Sequence, residues 1–71
     1  MAIKYSKQLR RKTAGRDKIL AQHSSEEWLK LVFDNQRKKL RGDLNEYFVC
    51  DIKITDKKYE KVNGTETFLI Q

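Results

Sequence analysis

The sequence lacks proline, has one cysteine and one histidine, and contains no long apolar run. A single cysteine, Cys50, excludes an internal disulfide. Zinc sites normally use four Cys or His ligands, or three and a water molecule, so one residue of each type argues against a zinc site. No apolar run approaches the roughly 20 residues that a membrane-spanning helix needs. We therefore predict a protein without a metal, a cofactor or a membrane span.

The N-terminal segment MAIKYSKQLRRK is basic, but no apolar stretch follows it. A secretory signal needs such a stretch, so we expect no leader of this class. We expect a soluble, intracellular protein of the cytoplasm. A basic start with few acids also fits an organelle transit peptide, which is the less favoured alternative.

Groups suited to catalysis are few. His23 precedes a predicted helix, and neither a nucleophile nor an orienting acid is implied beside it. Cys50 is predicted on the inward side of a strand, where a thiol is typically buried and inert. The three glycines are isolated, so none forms a phosphate-binding loop. We predict that the protein is not an enzyme, has no catalytic residues and takes no small-molecule substrate.

Positive charge is concentrated at the N terminus. Residues 1–18 carry seven Lys or Arg and one Asp, whereas residues 19–71 carry nine bases and nine acids. The formal net charge of +6 therefore lies entirely in the first segment. A basic arm on a neutral domain is one recognised sign of a nucleic-acid partner. We divide the chain into a basic arm, residues 1–15, and one small α+β domain, residues 16–71.

The most regular pattern is SSEEWLKLVFDNQRKKLRGD, residues 24–43. Ser24 and Glu27 have the spacing of a capping box, and apolar residues recur over one broad arc. Gly42 stands where helices commonly end. The pattern predicts an amphipathic helix over about 25–41. The basic ending RKKLR suits the negative end of the helix dipole. We therefore expect these residues mainly to stabilise the C terminus of the helix and only secondarily to contact a partner.

The arm is also predicted to be helical. Tyr5 and Leu9 are four residues apart, which places them on one side of a helix. Gly15 lowers helix propensity and marks a break. The following segment, residues 16–22, fits about two further helical turns.

After residue 43 the apolar residues alternate with a period of two, which is typical of half-buried strands. Asn63-Gly64 is a strong signal for a type I′ hairpin turn, because both residues tolerate a positive φ. The predicted fold is therefore α+β. The main helix packs on a three-stranded antiparallel sheet, with strands at about 46–55, 58–62 and 65–70.

Folding the chain around Asn63-Gly64 defines a cross-strand register. It opposes Lys61 to Glu66, which pairs opposite charges, and Tyr59 to Phe68, which pairs two aromatic rings. Such pairs each stabilise a sheet by a few tenths of a kcal/mol up to about 1 kcal/mol.

The cations of the arm have no carboxylate four residues away to neutralise them. Phosphates are a natural partner for such a cluster, and no constellation of base-reading side chains is visible. We therefore predict a small nucleic-acid-binding protein that contacts the backbone of DNA or RNA with little sequence specificity. The predicted contacts are Lys4, Lys7, Arg10, Arg11, Lys12, Arg16 and Lys18, assisted by Arg37 and Arg41 of the helix.

A helix-turn-helix fits less well. Residues 16–22 would be its first helix and residues 26–41 its reading helix. A recognition helix contacts bases through its N-terminal residues. Here those residues are Glu26 and Glu27, which phosphates repel.

The wide apolar arc of the main helix suggests a different kind of partner. A three-stranded sheet covers only part of it, so Trp28 and Leu31 need a further cover. Residues 16–22 folding back, or a second molecule, would supply it. The alternative prediction is a protein-binding regulator, for example a viral or mobile-element inhibitor of a nucleic-acid-handling enzyme, or a homodimer, with Tyr5, Trp28 and Leu31 at the interface. An arm ordered inside a large ribonucleoprotein is a third hypothesis.

Overall fold

The computed structural model describes residues 4–56 and 58–70. In that part of the chain it contains one α-helix, one short 3-10 helix and five strands. The order is β1 (Lys4–Arg11), β2 (Lys18–His23), α1 (Glu26–Asn35), the 3-10 helix (Leu44–Glu46), β3 (Tyr47–Thr55), β4 (Lys58–Lys61) and β5 (Thr67–Phe68). The prediction of a small α+β fold is confirmed.

Residues 4–11 form a strand inside the sheet, so the prediction of a helical basic arm is wrong. β1 pairs antiparallel with β2 along one edge and with β3 along the other. Leu9 lies opposite Val49 and is only 1% exposed. The spacing of Tyr5 and Leu9 fits a period of two as well as a helical turn. Pairing on both edges satisfies the backbone of β1, and this decides between the two conformations.

The segment predicted as two helical turns, residues 16–22, instead leads into β2, an edge strand. The register with β1 shifts between Leu9 and Arg10, so β2 carries one extra residue there. The residue without a partner is Leu20, and it packs against the core under α1. A β-bulge of this kind re-aims a side chain, and here it adds an apolar group to the core.

The sheet has more strands than the three predicted. The order is β2-β1-β3-β4, and β5 also pairs with β3. β1 already occupies one edge of β3, so β4 and β5 share the other edge. They run in the same direction, as two pieces of one interrupted strand.

The loop between β4 and β5 contains the predicted turn. Gly64 has a φ of 86°, but no non-glycine residue among those described has a positive φ, so Asn63 is not part of a type I′ turn. The loop is held instead by Thr65. Its hydroxyl donates to the carbonyl of Val62 (2.6 Å) and accepts from the backbone N–H of Asp51 (3.0 Å). Thr65 thereby supplies an acceptor for a backbone N–H of β3 at the point where neither β4 nor β5 pairs with it.

Of the two predicted cross-strand pairs, the aromatic pair does not form, and the charged pair forms outside a strand ladder. Tyr59 and Phe68 do not face each other, because each lies opposite a residue of β3. Lys61 and Glu66 do meet, with 3.3 Å between Nζ and Oε1, but across the loop rather than across a ladder.

Helix α1 begins one residue later than the predicted capping box implies. The N-cap is Ser25, not Ser24, and its side chain accepts from the backbone N–H of Trp28 (3.3 Å). His23 fixes this start in two ways. Its Nδ1 accepts from the backbone N–H of Ser25 (2.9 Å), and its ring stacks on Trp28 with 4.4 Å between centroids.

The helix ends at Asn35, so the predicted end at residue 41 is wrong. Beyond it the chain turns, and Leu40 and Leu44 reach the core. The apolar arc is wider than one sheet face covers, and folding the segment back buries apolar groups that a continued helix would expose. The last turn of α1 contains no basic residue, so the RKKLR cations do not complement the helix dipole.

Two apolar clusters lie on the two faces of the sheet. On the helix face, α1 packs its buried residues Leu29 and Phe33 against Leu9, Tyr47 and Val49. On the opposite face, called the open face below, the core consists of Phe48, Cys50 and Ile52. β3 contributes to both, because successive side chains of a strand point to opposite faces.

Over residues 4–56 and 58–70, no helix is both long enough and apolar enough to cross a membrane.

Candidate functional site

A cleft of about 210 Å³ lies at the end of the sheet where β1 ends and β3 begins. Four of its side chains are cationic, and we call it the basic cleft. It is lined by Arg11, Lys18, Leu20, Lys39, Leu40, Arg41 and Tyr47.

The sheet provides one wall of the basic cleft. Arg11 is the last residue of β1, Lys18 is the first residue of β2, and the two lie opposite each other. Tyr47 begins β3 and lies opposite Arg11 on its other edge. Three neighbouring strands therefore set these side chains in a row, and the hydrogen-bonded register fixes their spacing.

The segment after α1 provides the other wall. Lys39 and Arg41 flank Leu40, which packs against the core. The hydroxyl of Tyr47 donates to the carbonyl of Arg41 (2.6 Å), so the backbone beside Arg41 is tied to β3. The position of these two cations thus depends on the early end of the helix.

Arg11 is held in a fixed position. Its guanidinium packs against Gly42, which has a φ of 74°, and leaves no room for a Cβ there. Its Nη2 lies 3.6 Å from the Glu46 carboxylate, which also accepts from the backbone N–H of Asp43. The Nε of Arg11 has no hydrogen-bond partner among the described residues. Arg11 is therefore positioned while part of its hydrogen-bonding capacity is unused.

Charge in the basic cleft is poorly compensated. Within the described part of the chain, only Arg11 of its four cations lies within 4 Å of a carboxylate. Lys18, Lys39 and Arg41 form no ion pair with any described residue. Gathering like charges costs free energy, and a bound anion would recover it.

Besides Arg11, two further cations that were expected to be uncompensated have acidic partners outside their own strand. Lys7 bonds to Asp51 (2.5 Å), and Arg10 lies 3.4 Å from Asp17. The Asp51 carboxylate raises the pKa of the Lys7 amine through this hydrogen bond. The absence of a carboxylate four residues away is thus no sign of a free charge when the residue lies in a strand.

The remaining predicted contacts lie at different distances from the basic cleft. Lys12 and Arg16 are exposed in the loop between β1 and β2, beside it. Arg37 follows α1, and its guanidinium lies 5.8 Å from the Phe33 ring. Lys4 is at the other end of β1, about 23 Å from Arg11 at 3.3 Å per residue.

The structure brings together three predicted contacts, Arg11, Lys18 and Arg41, and adds Lys39. Sequence reasoning missed Lys39, because a helical wheel over residues 25–41 places it on the apolar side. The run of basic residues after Gln36 was the available signal.

The residues proposed for a protein partner are exposed. Tyr5 is 67%, Trp28 44% and Leu31 59% exposed. Trp28 and Leu31 are three residues apart on one flank of α1, while Tyr5 lies on β1. The expected cover is incomplete, because Leu20 of β2 packs against the core but Trp28 stays half-exposed.

Cys50 is predicted to be inert in the folded protein. Its side chain is buried, and this burial raises the pKa of the thiol, so the reactive thiolate is disfavoured. We expect no labelling by a thiol reagent at about pH 8 in buffer and complete labelling in denaturing urea. Because the folded-state pKa is raised, the stability contributed by the neutral thiol is present below the ordinary thiol pKa of 9.0 and is lost as pH rises above it. Rapid labelling without denaturant would contradict this burial.

Residues 4–56 and 58–70 contain no group of three or more His, Cys, Asp or Glu placed to hold a metal ion. The basic cleft has cationic, aliphatic and phenolic groups and no carboxylate among its lining residues. The chain matches no protein-family model, no curated protein and no solved structure.

Proposed function

We propose that the protein binds nucleic acid through phosphate contacts in the basic cleft. The proposal rests on one observation: four cations from two separate segments line the same cleft. Three of them have no acidic partner among the described residues. A protein that neutralises phosphates with Lys or Arg releases condensed counterions, and this release drives binding.

The lining of the basic cleft favours backbone contacts over base reading. Adenine is read by Asn or Gln in a bidentate contact and cytosine by Asp or Glu accepting from its amino group, and none of these residue types lines the cleft. Arg and Lys can contact guanine, so any base preference should be limited to guanine, and Arg11 is fixed against Gly42 and Glu46. We therefore expect binding to DNA or RNA with weak dependence on sequence.

The residues that we expect to contribute most to phosphate binding are not the same as those expected from the sequence. Arg11, Lys18, Lys39 and Arg41 make the main contacts, and Lys12, Arg16 and Arg37 stand around them. Lys7 and Arg10 are assigned to structural ion pairs, because Lys7 pairs with Asp51 on β3 and Arg10 with Asp17 in the loop before β2. Lys4 is too far from the cleft to share its phosphates.

A triple variant, Lys18→Ala/Lys39→Ala/Arg41→Ala, tests the proposal. Each lost phosphate contact lowers the slope of log affinity against log salt by about 0.7 for a single strand and 0.9 for a duplex. We expect the slope to become shallower by about two to three units. Fluorescence anisotropy with labelled DNA and RNA over a salt series measures it.

A control with the same change in charge is available at the other end of the sheet. Lys4, Lys53 and Lys58 lie at or beside the far ends of β1, β3 and β4. The variant Lys4→Ala/Lys53→Ala/Lys58→Ala removes three charges but should leave most of the slope. Equal losses in the two triple variants would show that net charge, not the basic cleft, binds nucleic acid. No binding of the native protein at low salt would overturn the proposal.

A second candidate function is the regulation of another protein by direct binding. The specific observation in its favour is the exposed pair Trp28 and Leu31 on one flank of α1. Large exposed apolar groups that lie together mark interaction surfaces. Under this hypothesis, a partner isolated from an extract stays bound after nuclease treatment, and Trp28→Ala/Leu31→Ala releases it. Loss of the partner on nuclease treatment favours nucleic-acid binding instead.

A further inference from the structure

A row of polar side chains crosses the open face of the sheet. Each member contacts the next, with distances of 2.8, 2.9, 3.4, 3.6 and 3.3 Å between the contacting atoms. The row is Gln22, Gln8, Arg10, Asp17, Lys61 and Glu66. Its acids are each paired with a base, so this face carries no free negative charge within the row.

An aromatic group stands beside this row. Phe68 is 40% exposed and packs on Phe48, with 5.3 Å between ring centroids. A shallow pocket of about 180 Å³ lies between the two rings and the paired charges. Lys12 also lines this pocket, and it forms no ion pair with a described residue.

The aromatic pocket and the basic cleft lie at the same end of the sheet. Arg11 lines the basic cleft, and the next residue, Lys12, lines the aromatic pocket. Neighbouring residues of an extended chain point to opposite sides. A polyanion that passes around this end of the sheet therefore meets cations on both faces.

We propose that the nucleic acid bound by this protein is single-stranded, with an unpaired base stacked on Phe68 and the adjoining phosphates on Lys12 and in the basic cleft. This inference rests on the proposed function and adds the class of nucleic acid. Aromatic side chains beside a cationic groove bind single strands because every base has a π-face, and stacking on it is tolerant of sequence. Bases inside a duplex are paired and stacked on one another, so they cannot reach the ring.

Phe68 is favoured over the other exposed aromatic residue of the open face by its position. Tyr59 is 59% exposed, but it lies opposite Ile54, whereas Phe68 lies opposite Phe48. Phe48 and Ile54 are six positions apart on β3, which separates the two rings by about 20 Å along the sheet. Tyr59 is therefore far from the cations of the basic cleft and supplies a matched control.

The test compares Phe68→Leu with Tyr59→Leu in the full chain. The probes are a labelled oligothymidine and oligouridine of about 15 nucleotides, and a labelled duplex of the same length. We expect the native protein to bind both single strands more tightly than the duplex. Phe68→Leu should weaken single-strand binding about 5- to 10-fold and leave duplex binding unchanged, because leucine keeps the apolar contact with Phe48 but offers no ring. Tyr59→Leu should change neither.

Two results overturn the inference while the proposed function stands. One is duplex binding as tight as single-strand binding, with the basic-cleft variant still defective. The other is an equal effect of the two leucine substitutions. Absence of binding to every probe at low salt overturns the proposed function and this inference together. If Phe68→Leu loses its native circular dichroism, Phe68→Met repeats the comparison with a flexible side chain that fills the same space.

Discussion

Replacing Leu9 by alanine is expected to lower the free energy of unfolding by about 2–5 kcal/mol. Leu9 is 1% exposed and belongs to the cluster under α1, so truncating it leaves a cavity that the paired strands on either side cannot close. The free energy of unfolding of a domain of this size is small, so a loss of this magnitude is a large fraction of it. Urea unfolding followed by circular dichroism measures the change.

The matched control is Ile19→Ala. Ile19 is also a large aliphatic residue in a strand near the N terminus, but it is 53% exposed. Its replacement should cost less than about 1 kcal/mol. Equal small effects of the two substitutions would contradict the position of β1 inside the sheet and would favour a dispensable arm.

Replacing Gly42 by alanine is expected to destabilise the fold and to weaken nucleic-acid binding together. A left-handed φ costs an alanine about 1–2 kcal/mol, and Gly42 has a φ of 74°. The added Cβ would also lie 2.7 Å from Cζ of Arg11, so the guanidinium must leave its place beside Glu46. Losing one positioned phosphate contact should weaken binding about 5-fold in moderate salt. Urea unfolding and anisotropy measure the two effects.

Gly64→Ala separates these effects. Gly64 has a φ of 86°, and no atom lies within 4 Å of the position of an added Cβ. This variant should therefore lose a similar amount of stability from backbone strain while its affinity for nucleic acid is unchanged. If both glycine variants bind as the native protein does, Arg11 is not a contact in the basic cleft.

The sequence predicted the start of α1 and the position of β3 well, because both depend on local patterns. A serine beside two glutamates marks a helix start wherever it occurs, and the structure moves the N-cap by only one residue, to Ser25. The alternation in YFVCDIKIT needs no partner to be recognised, and β3 spans Tyr47–Thr55.

The N-terminal strands could not be predicted in the same way. A spacing of four between Tyr5 and Leu9 satisfies both a helix and a strand, and the partner that decides lies far along the chain. Lys7 and Asp51, for example, are 44 residues apart. Charge patterns between neighbours in sequence carry no information about such a pair.

The basic cleft shows the same division. Basic residues at Arg11, Lys18 and Arg41 are evident in the sequence, and so is their excess over acids. Their meeting depends on three tertiary events: the register of β1 with β2, the end of α1 at Asn35, and the bond from Tyr47 to the carbonyl of Arg41. None of these follows from a local pattern.

Composition and periodicity alone established a small α+β domain with a helix that begins near residue 25, a strand after residue 46 and an excess of positive charge. The tertiary structure decided which cations pair with acidic side chains and which have no ion-pair partner among the described residues. The physical reason is the distance along the chain over which each kind of interaction acts. Helix signals act over three or four residues, whereas strand pairing and ion pairing in a sheet act through space between residues that any length of chain can separate.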